Sequence, residues 1–429
     1  MGEILCVAFV CGLLFFNIKI YKTIYNPATI FTMLWAIILL LYSLHLYGLY
    51  YANIDNLIIL VIGIVFFNVG CLLSNVVNVK SVSNLRQYVV NEKVVLVYVV
   101  FSVVVLLFGA KYNISNLSRT VQVLRYGGEM NISYSYVVLR DFFAVPIIFA
   151  VLCIFFANII LQKKFKKYLV YVIVLIILDI LALFEQLCVY AFVACVCFTL
   201  LVYLDERRKN TDQWFVNAMK KYSKLLIVLL IVLVFVLCMF RTSSLLKRIY
   251  NYVANSVVLY SIQMDEFKNI DRNSFEGMYT YGITSTQGLL RHLMAVLENF
   301  GYSSELFDSA SYVFATYFAY PKYVAPGSLY NSFVTMFMYF YKDLGLGGVI
   351  LFSGIYGYVV FSAYKNYRRK RDVYSLSIYI FFVISIFFTY IQSPFIDKKY
   401  AFSLILLMLL KKRDKDYESS SRNCDLPPK

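Results

Sequence analysis

Charge is scarce in this chain. Only 15% of its 429 residues are Asp, Glu, Lys or Arg, against about 25% in a soluble domain. Most of the chain therefore cannot present an ordinary water-facing surface. Histidine occurs twice, and no CxxC pair occurs. Eight of the nine cysteines lie in apolar runs, from Cys6 to Cys238, and the ninth, Cys424, is in the polar tail. A disulfide framework and a cysteine metal site are both excluded as the organising principle. There is no GxxxxGK[ST] loop and no GxGxxG fingerprint, so nucleotide chemistry has no recognisable cradle. No basic stretch precedes the first apolar run and no A-x-A site follows it, so that run reads as a helix rather than a cleaved leader.

What the chain has is hydrophobic length. It is 61% hydrophobic with mean hydropathy +0.72, and runs of about 17–20 apolar residues recur, enough to cross a ~30 Å hydrocarbon core. The runs are continuous rather than alternating, which favours helices over barrel strands. The expected fold is an all-α polytopic membrane protein of about eleven spans, near 3–18, 29–49, 54–74, 93–110, 142–161, 168–184, 187–204, 225–240, 346–364, 374–391 and 398–410. Residues 1–240 then hold spans one to eight and 241–345 a large outer loop. Residues 346–410 hold spans nine to eleven and 411–429 a polar tail.

The net charge of +16 would suggest nucleic acid in a soluble protein. Here it follows the positive-inside rule, and no nucleic-acid partner is expected. Lysine and arginine cluster after the first, third, fifth, seventh and ninth spans and in the tail, as in Lys163–Lys167 and Arg207–Lys209. Lys398 and Lys399 break the alternation. The rule sets the N-terminus outside and the C-terminus inside, and both long connections, 111–141 and 241–346, on the outer face.

The outer face of a bacterial inner membrane lacks soluble nucleotide donors, so group transfer there draws on a lipid-carried donor. The two outer loops nevertheless hold Lys111, Arg119, Arg125, Arg140, Arg241, Lys247, Arg248, Lys268, Arg272 and Arg291. Guanidinium forks match phosphate geometry, and a lipid pyrophosphate fits as their partner. The plain alternative is a solvated surface. Arg140 and Arg241 stand at span edges, at headgroup level. His292 follows Arg291 in a stretch where Leu289, Leu290, Met294 and Leu297 recur at helical spacing, which predicts an interfacial amphipathic helix. A histidine there suits a general base; a surface histidine without a role is the bland reading. Asp179 lies inside the sixth span and Glu185 in the turn after it. An acid within the bilayer is functional by default, with interhelical hydrogen bonding the alternative. Phe333, Met336, Phe337 and Phe340 predict a second interfacial stripe, and Asp343, Gly345, Gly347 and Gly348 a sharp bend into the ninth span.

These features resemble the Wzy-type O-antigen and capsule repeat-unit polymerases. The resemblance rests on many spans, one long outer loop late in the chain, and a stretch with Asn331 that ends in Asp343-x-Gly345-x-x-Gly348. O-antigen ligases share that pattern but usually carry a histidine before the asparagine, where this chain has Tyr330. The family often has an arginine in the turn after a central span, where this chain has Glu185-Gln186. The resemblance implies a metal-independent, class-C-like glycosyltransferase without cofactor. Its expected catalytic residues are His292 and Asp343. Its expected substrate-binding residues are Arg125, Arg140, Arg241, Arg291, Asn331, Asp179 and Glu185. The implied partners are undecaprenyl-pyrophosphate-linked oligosaccharides, membrane lipids and a chain-length regulator. A repeat-unit flippase and an O-antigen ligase are the alternatives.

Overall fold

The computed structural model describes residues 2–77, 88–116, 133–161, 165–182, 186–210, 212–217, 219–220, 228, 245–330 and 334–413. It is mainly helical. Six described helices are long and apolar enough to cross a membrane: α1 (Gly2–Tyr21), α3 (Ile54–Val76), α4 (Glu92–Ser115), α5 (Ser135–Leu161), α7 (Leu187–Lys209) and α11 (Thr335–Lys370). Shorter apolar helices are α2 (Pro27–Ser43), the Val170–Asp179 part of α6 (Phe165–Ala182), and α12 (Val373–Phe388). The chain is a membrane protein by length and composition of these helices. The eighth expected span, 225–240, lies outside the described residues except for Val228.

Two compact units divide the chain. The first comprises Met1–Ser74, Val228–Phe361 and Ile384–Ala401. Its centre is apolar and aromatic. Phe31 stacks on Phe67 with centroids 3.8 Å apart, and Trp35 meets Phe337 at 5.2 Å. Helices α3 and α11 approach until a Cβ on Gly70 or Gly357 would strike the backbone of Gly354 or Phe67. Small residues permit such contact where water provides no driving force. Buried amides add glue. The Asn17 side chain donates to Thr32 Oγ1 at 3.0 Å and to Asn68 Oδ1 at 2.7 Å, joining α1, α2 and α3.

The long polar segment is part of this unit. It forms α8 (Leu245–Lys268), α9 (Ile283–Asn299) and α10 (Glu305–Val313) with a π turn, Phe314–Phe318. A hairpin of β2 (Lys322–Ala325) and β3 (Ser328–Tyr330) follows. In α8 every residue from Ala254 to Ser261 is buried, so it is a core helix that charge at its ends hides in the sequence. Asn53 N–H and the Asn56 amide both reach Ser261 Oγ, at 2.8 and 3.1 Å. These bonds tie α8 to the start of α3. The expected interfacial stripe at 333–340 is corrected: Met336, Phe337, Met338, Tyr339 and Phe340 are all buried. Helix α11 begins at Thr335, and a one-sided surface helix would leave part of that turn exposed. Phe333 and Asn331 lie outside the described residues.

The second unit comprises Asn75–Ile227, Ser362–Val383 and Phe402–Lys429. Every residue from Val145 to Ile160 of α5 is buried, as expected of a helix that is apolar all round. Helices α4, α6 and α7 pack against it. A short antiparallel pair, β1 (Tyr88–Val90) with β4 (Lys411–Arg413), joins the start of α4 to the end of the last helix, α13 (Lys398–Leu409).

Candidate functional site

A buried corner in the first unit organises the polar segment. The Asp343 carboxylate has no exposed surface. Its Oδ1 accepts from Thr280 Oγ1 at 2.6 Å and from Thr284 N–H at 2.9 Å. Its Oδ2 accepts from Ser285 N–H at 3.0 Å and from the Ser285 hydroxyl. Thr284 and Ser285 open α9, whose own N-cap is Gly282, without a side-chain acceptor. Asp343 is therefore a cap supplied from 59 residues away. It satisfies orphan amides and sets negative charge against the positive end of the helix. The neighbouring Lys342 is also buried. Its ammonium donates to the carbonyls of Glu276 and Met278 at 2.8 and 2.6 Å, and to Ser309 Oγ at 3.1 Å. One turn of α11 thus fixes α9, α10 and the loop between α8 and α9.

Directly after this turn the helix breaks. Gly345 has φ +60, and a Cβ there would meet the Tyr279 hydroxyl at 2.9 Å. The expected bend is present, and the glycine is needed for both reasons.

The loop between α8 and α9 presents Arg272. Asp271 accepts from Asn273 N–H at 3.0 Å in an Asx turn, which fixes the local backbone. The guanidinium then lies over three rings: Phe267 at 4.5 Å, Tyr279 at 5.4 Å and Tyr341 at 5.7 Å. It donates to Gly277 O at 3.4 Å, and among the described residues no carboxylate pairs with it. A half-buried guanidinium on aromatic faces, with Gly277 O and the Tyr341 side chain as its acceptors, is suited to an anion. Sequence reasoning counted Arg272 among the outer cations without selecting it. Its Asp-Arg-Asn-Ser turn beside Phe267 was the available local signal. Close by, Tyr317 donates to Glu276 at 2.5 Å. This bond to an acid pushes the phenol up to about 12.

Arg291 is on the outward face of α9, about half exposed and 3.4 Å from Glu298. Its guanidinium also lies 5.5 Å from the Phe307 ring. His292 follows it on the same helix, and the periodicity expected through Leu289, Leu290, Met294 and Leu297 is present as part of Ile283–Asn299. The second unit gathers Arg140 and Asp179 with two residues not selected from sequence. Arg140 Nε and Nη2 both lie 2.6 Å from Asp141 Oδ1, at a π turn spanning Arg140–Ala144. Tyr136 is within electrostatic reach of Arg140, Asp141 and the buried Asp179. Arg125, Glu185, Asn331 and Arg241 lie outside the described residues. Among the described residues no group of three His, Cys, Asp or Glu is placed to hold a metal ion. No protein-family model matches the chain, and neither a curated protein nor a solved structure matches it.

Proposed function

We propose that this chain is a repeat-unit polymerase of the Wzy type, with more than the six long spans and a class-C-like arrangement. It works at the outer face of a bacterial inner membrane, with its N-terminus outside. The observation that carries the reading is Arg272, a caged guanidinium that pairs with no carboxylate among the described residues, in a polar segment anchored to the end of an apolar bundle. In the proposed reaction the bond between the sugar C1 and the oxygen of undecaprenyl pyrophosphate breaks. A bond forms from C1 to a hydroxyl of the incoming lipid-linked unit. The hydroxyl proton passes to a base, and the pyrophosphate leaves with the electron pair. Arg272 stabilises the charge that develops on that leaving group, with Arg291 as a further candidate. His292 is the proposed base. Asp343 acts through position, since capping α9 occupies both of its oxygens.

The test is deletion of the gene with a ladder gel of the host's surface polysaccharide. Single repeat units on the final acceptor are the expected outcome. Undiminished long polymer sinks the reading.

The Arg140–Asp141–Asp179 group favours a second reading, a flippase, because ionic groups buried in a span mark transport paths. Deletion then removes all surface glycan, single units included. A ligase predicts polymer that is made but left unattached.

A further inference from the structure

We infer that the α2–α3 loop and the β2–β3 hairpin together form a tyrosine shelf that holds the growing glycan chain. This inference rests on the polymerase reading. Tyr47, Tyr50 and Tyr51 on the loop, and Tyr320 and Tyr323 at the hairpin, are all exposed. Tyr50 N–H donates to Val324 O at 2.9 Å, which joins the two segments.

The loop is held at many points. Leu46 N–H donates to the Tyr250 hydroxyl at 2.9 Å, Ala52 N–H to the Tyr42 hydroxyl at 2.8 Å, and Asn53 N–H to Ser261 Oγ at 2.8 Å. The His45 ring spans Glu3 Oε2 at 2.8 Å and Leu49 O at 3.2 Å. Tyr51 packs on that ring, 4.1 Å between centroids. His45 and Tyr47 both adopt left-handed backbone, φ 44 and φ 61. Residues with a Cβ keep such conformations where the surroundings over-determine them. The rings are thus presented on a fixed support, which lowers the ordering cost of binding.

The side-chain chemistry favours sugar over lipid. Exposed residues on α1 are of the acyl-chain kind: Ile4, Leu5, Phe9, Phe15 and Phe16. On the shelf five tyrosines, each an apolar face with a hydroxyl at its tip, outnumber the exposed Leu44, Leu46 and Leu329. Ions are interleaved with them. Lys322 pairs with Glu266 at 2.7 Å and lies 5.4 Å from the Tyr320 ring. Lys247 lies 6.0 Å from the Tyr47 ring. Acyl chains pay heavily to cover such groups, whereas a pyranose offers C–H faces to the rings and hydroxyls to the ions.

The test replaces rings in the full-length protein. In the Tyr47→Ala/Tyr323→Ala double variant, affinity for the polymer falls about tenfold. The ladder shifts to shorter chains at unchanged abundance, with no return to single repeat units. If the double variant accumulates poorly, Tyr51→Ala carries the same test. Oxidative footprinting in lipid nanodiscs adds a direct readout. The five rings are oxidised in lipid alone and protected by polysaccharide purified from the host. An unchanged ladder overturns the shelf, as does protection of the rings by lipid alone. Failure of the polymerase reading is separable, because it appears as long polymer in the deletion strain itself.

Discussion

Two buried aspartates, Asp343 in the first unit and Asp141 in the second, sit in similar settings and are put to different uses. Each lies in a long apolar helix beside a cation, Lys342 or Arg140. Asp343 ignores its neighbour and takes hydrogen bonds from Thr280, Thr284 and Ser285. Lys342 turns to backbone carbonyls instead. Asp141 is held by Arg140 itself, at a π turn. The first acid serves as an anchor for a polar segment. The second forms a compact ion pair with its own chain neighbour, and Tyr136 lies within electrostatic reach of both that pair and Asp179. Burial of a carboxylate therefore does not identify its function; the identity of its donors does.

The strongest way to break this comparison is Asp343→Ala. It orphans the amides of Thr284 and Ser285, at ~1–3 kcal/mol each, and removes the cap of α9. The expected result is loss of folded protein in fluorescence-detected size exclusion, with Asp343→Asn partly restoring it. Normal abundance of the alanine variant contradicts the anchor.

Next comes Asp141→Ala, which leaves the partly exposed Arg140 without its carboxylate, at a cost below the ~3–5 kcal/mol of a fully buried pair. The double variant Arg140→Leu/Asp141→Leu sharpens the contrast. If the pair is structural, the double variant recovers both thermal stability and polymer. If it takes part in function, abundance recovers and polymer does not.

A smaller effect is expected at Arg272, on activity alone. Arg272→Ala lowers polymer output by about 10²-fold at normal abundance, and Arg272→Lys recovers it poorly because the fork geometry is lost. Equal output from Arg272→Ala and wild type removes the leaving-group role.

The smallest change is Tyr317→Phe, which deletes one hydrogen bond worth about 0.5–1.5 kcal/mol. Because this phenol titrates near 12, the native state holds its proton where the unfolded chain, near 10, has lost it. The contribution is complete below pH 10 and fades as pH rises towards 12. Thermal melts of wild type and Tyr317→Phe should therefore converge over that window.

The apolar helices were legible because their signal is local. The expected runs at 3–18, 54–74, 93–110 and 187–204 reappear as α1, α3, α4 and α7 with shifted ends. The span expected at 142–161 starts earlier, at Ser135, because the π turn keeps Arg140 and Asp141 paired inside the helix. Helix α9 was legible from its 3.6-residue periodicity. Helix α8 was not, since Lys247, Arg248 and Asp265 at its ends mask a buried middle. Nor was the cap on α9 legible, because no local pattern links Asp343 to Thr284.

By itself, the sequence determined that this is a helical membrane protein with one long polar segment and a glycine bend after Asp343. Hydrophobic run length and backbone permissiveness are properties of neighbouring residues, so they can be read in order. Only the tertiary structure decided that Asp343 caps a helix, that Arg291 meets Glu298 while Arg272 rests on three rings, and that tyrosines from two distant segments share one support. Each of these depends on which groups exhaust one another's hydrogen bonds and charge. That is settled only when residues far apart in the chain are brought within about 3 Å.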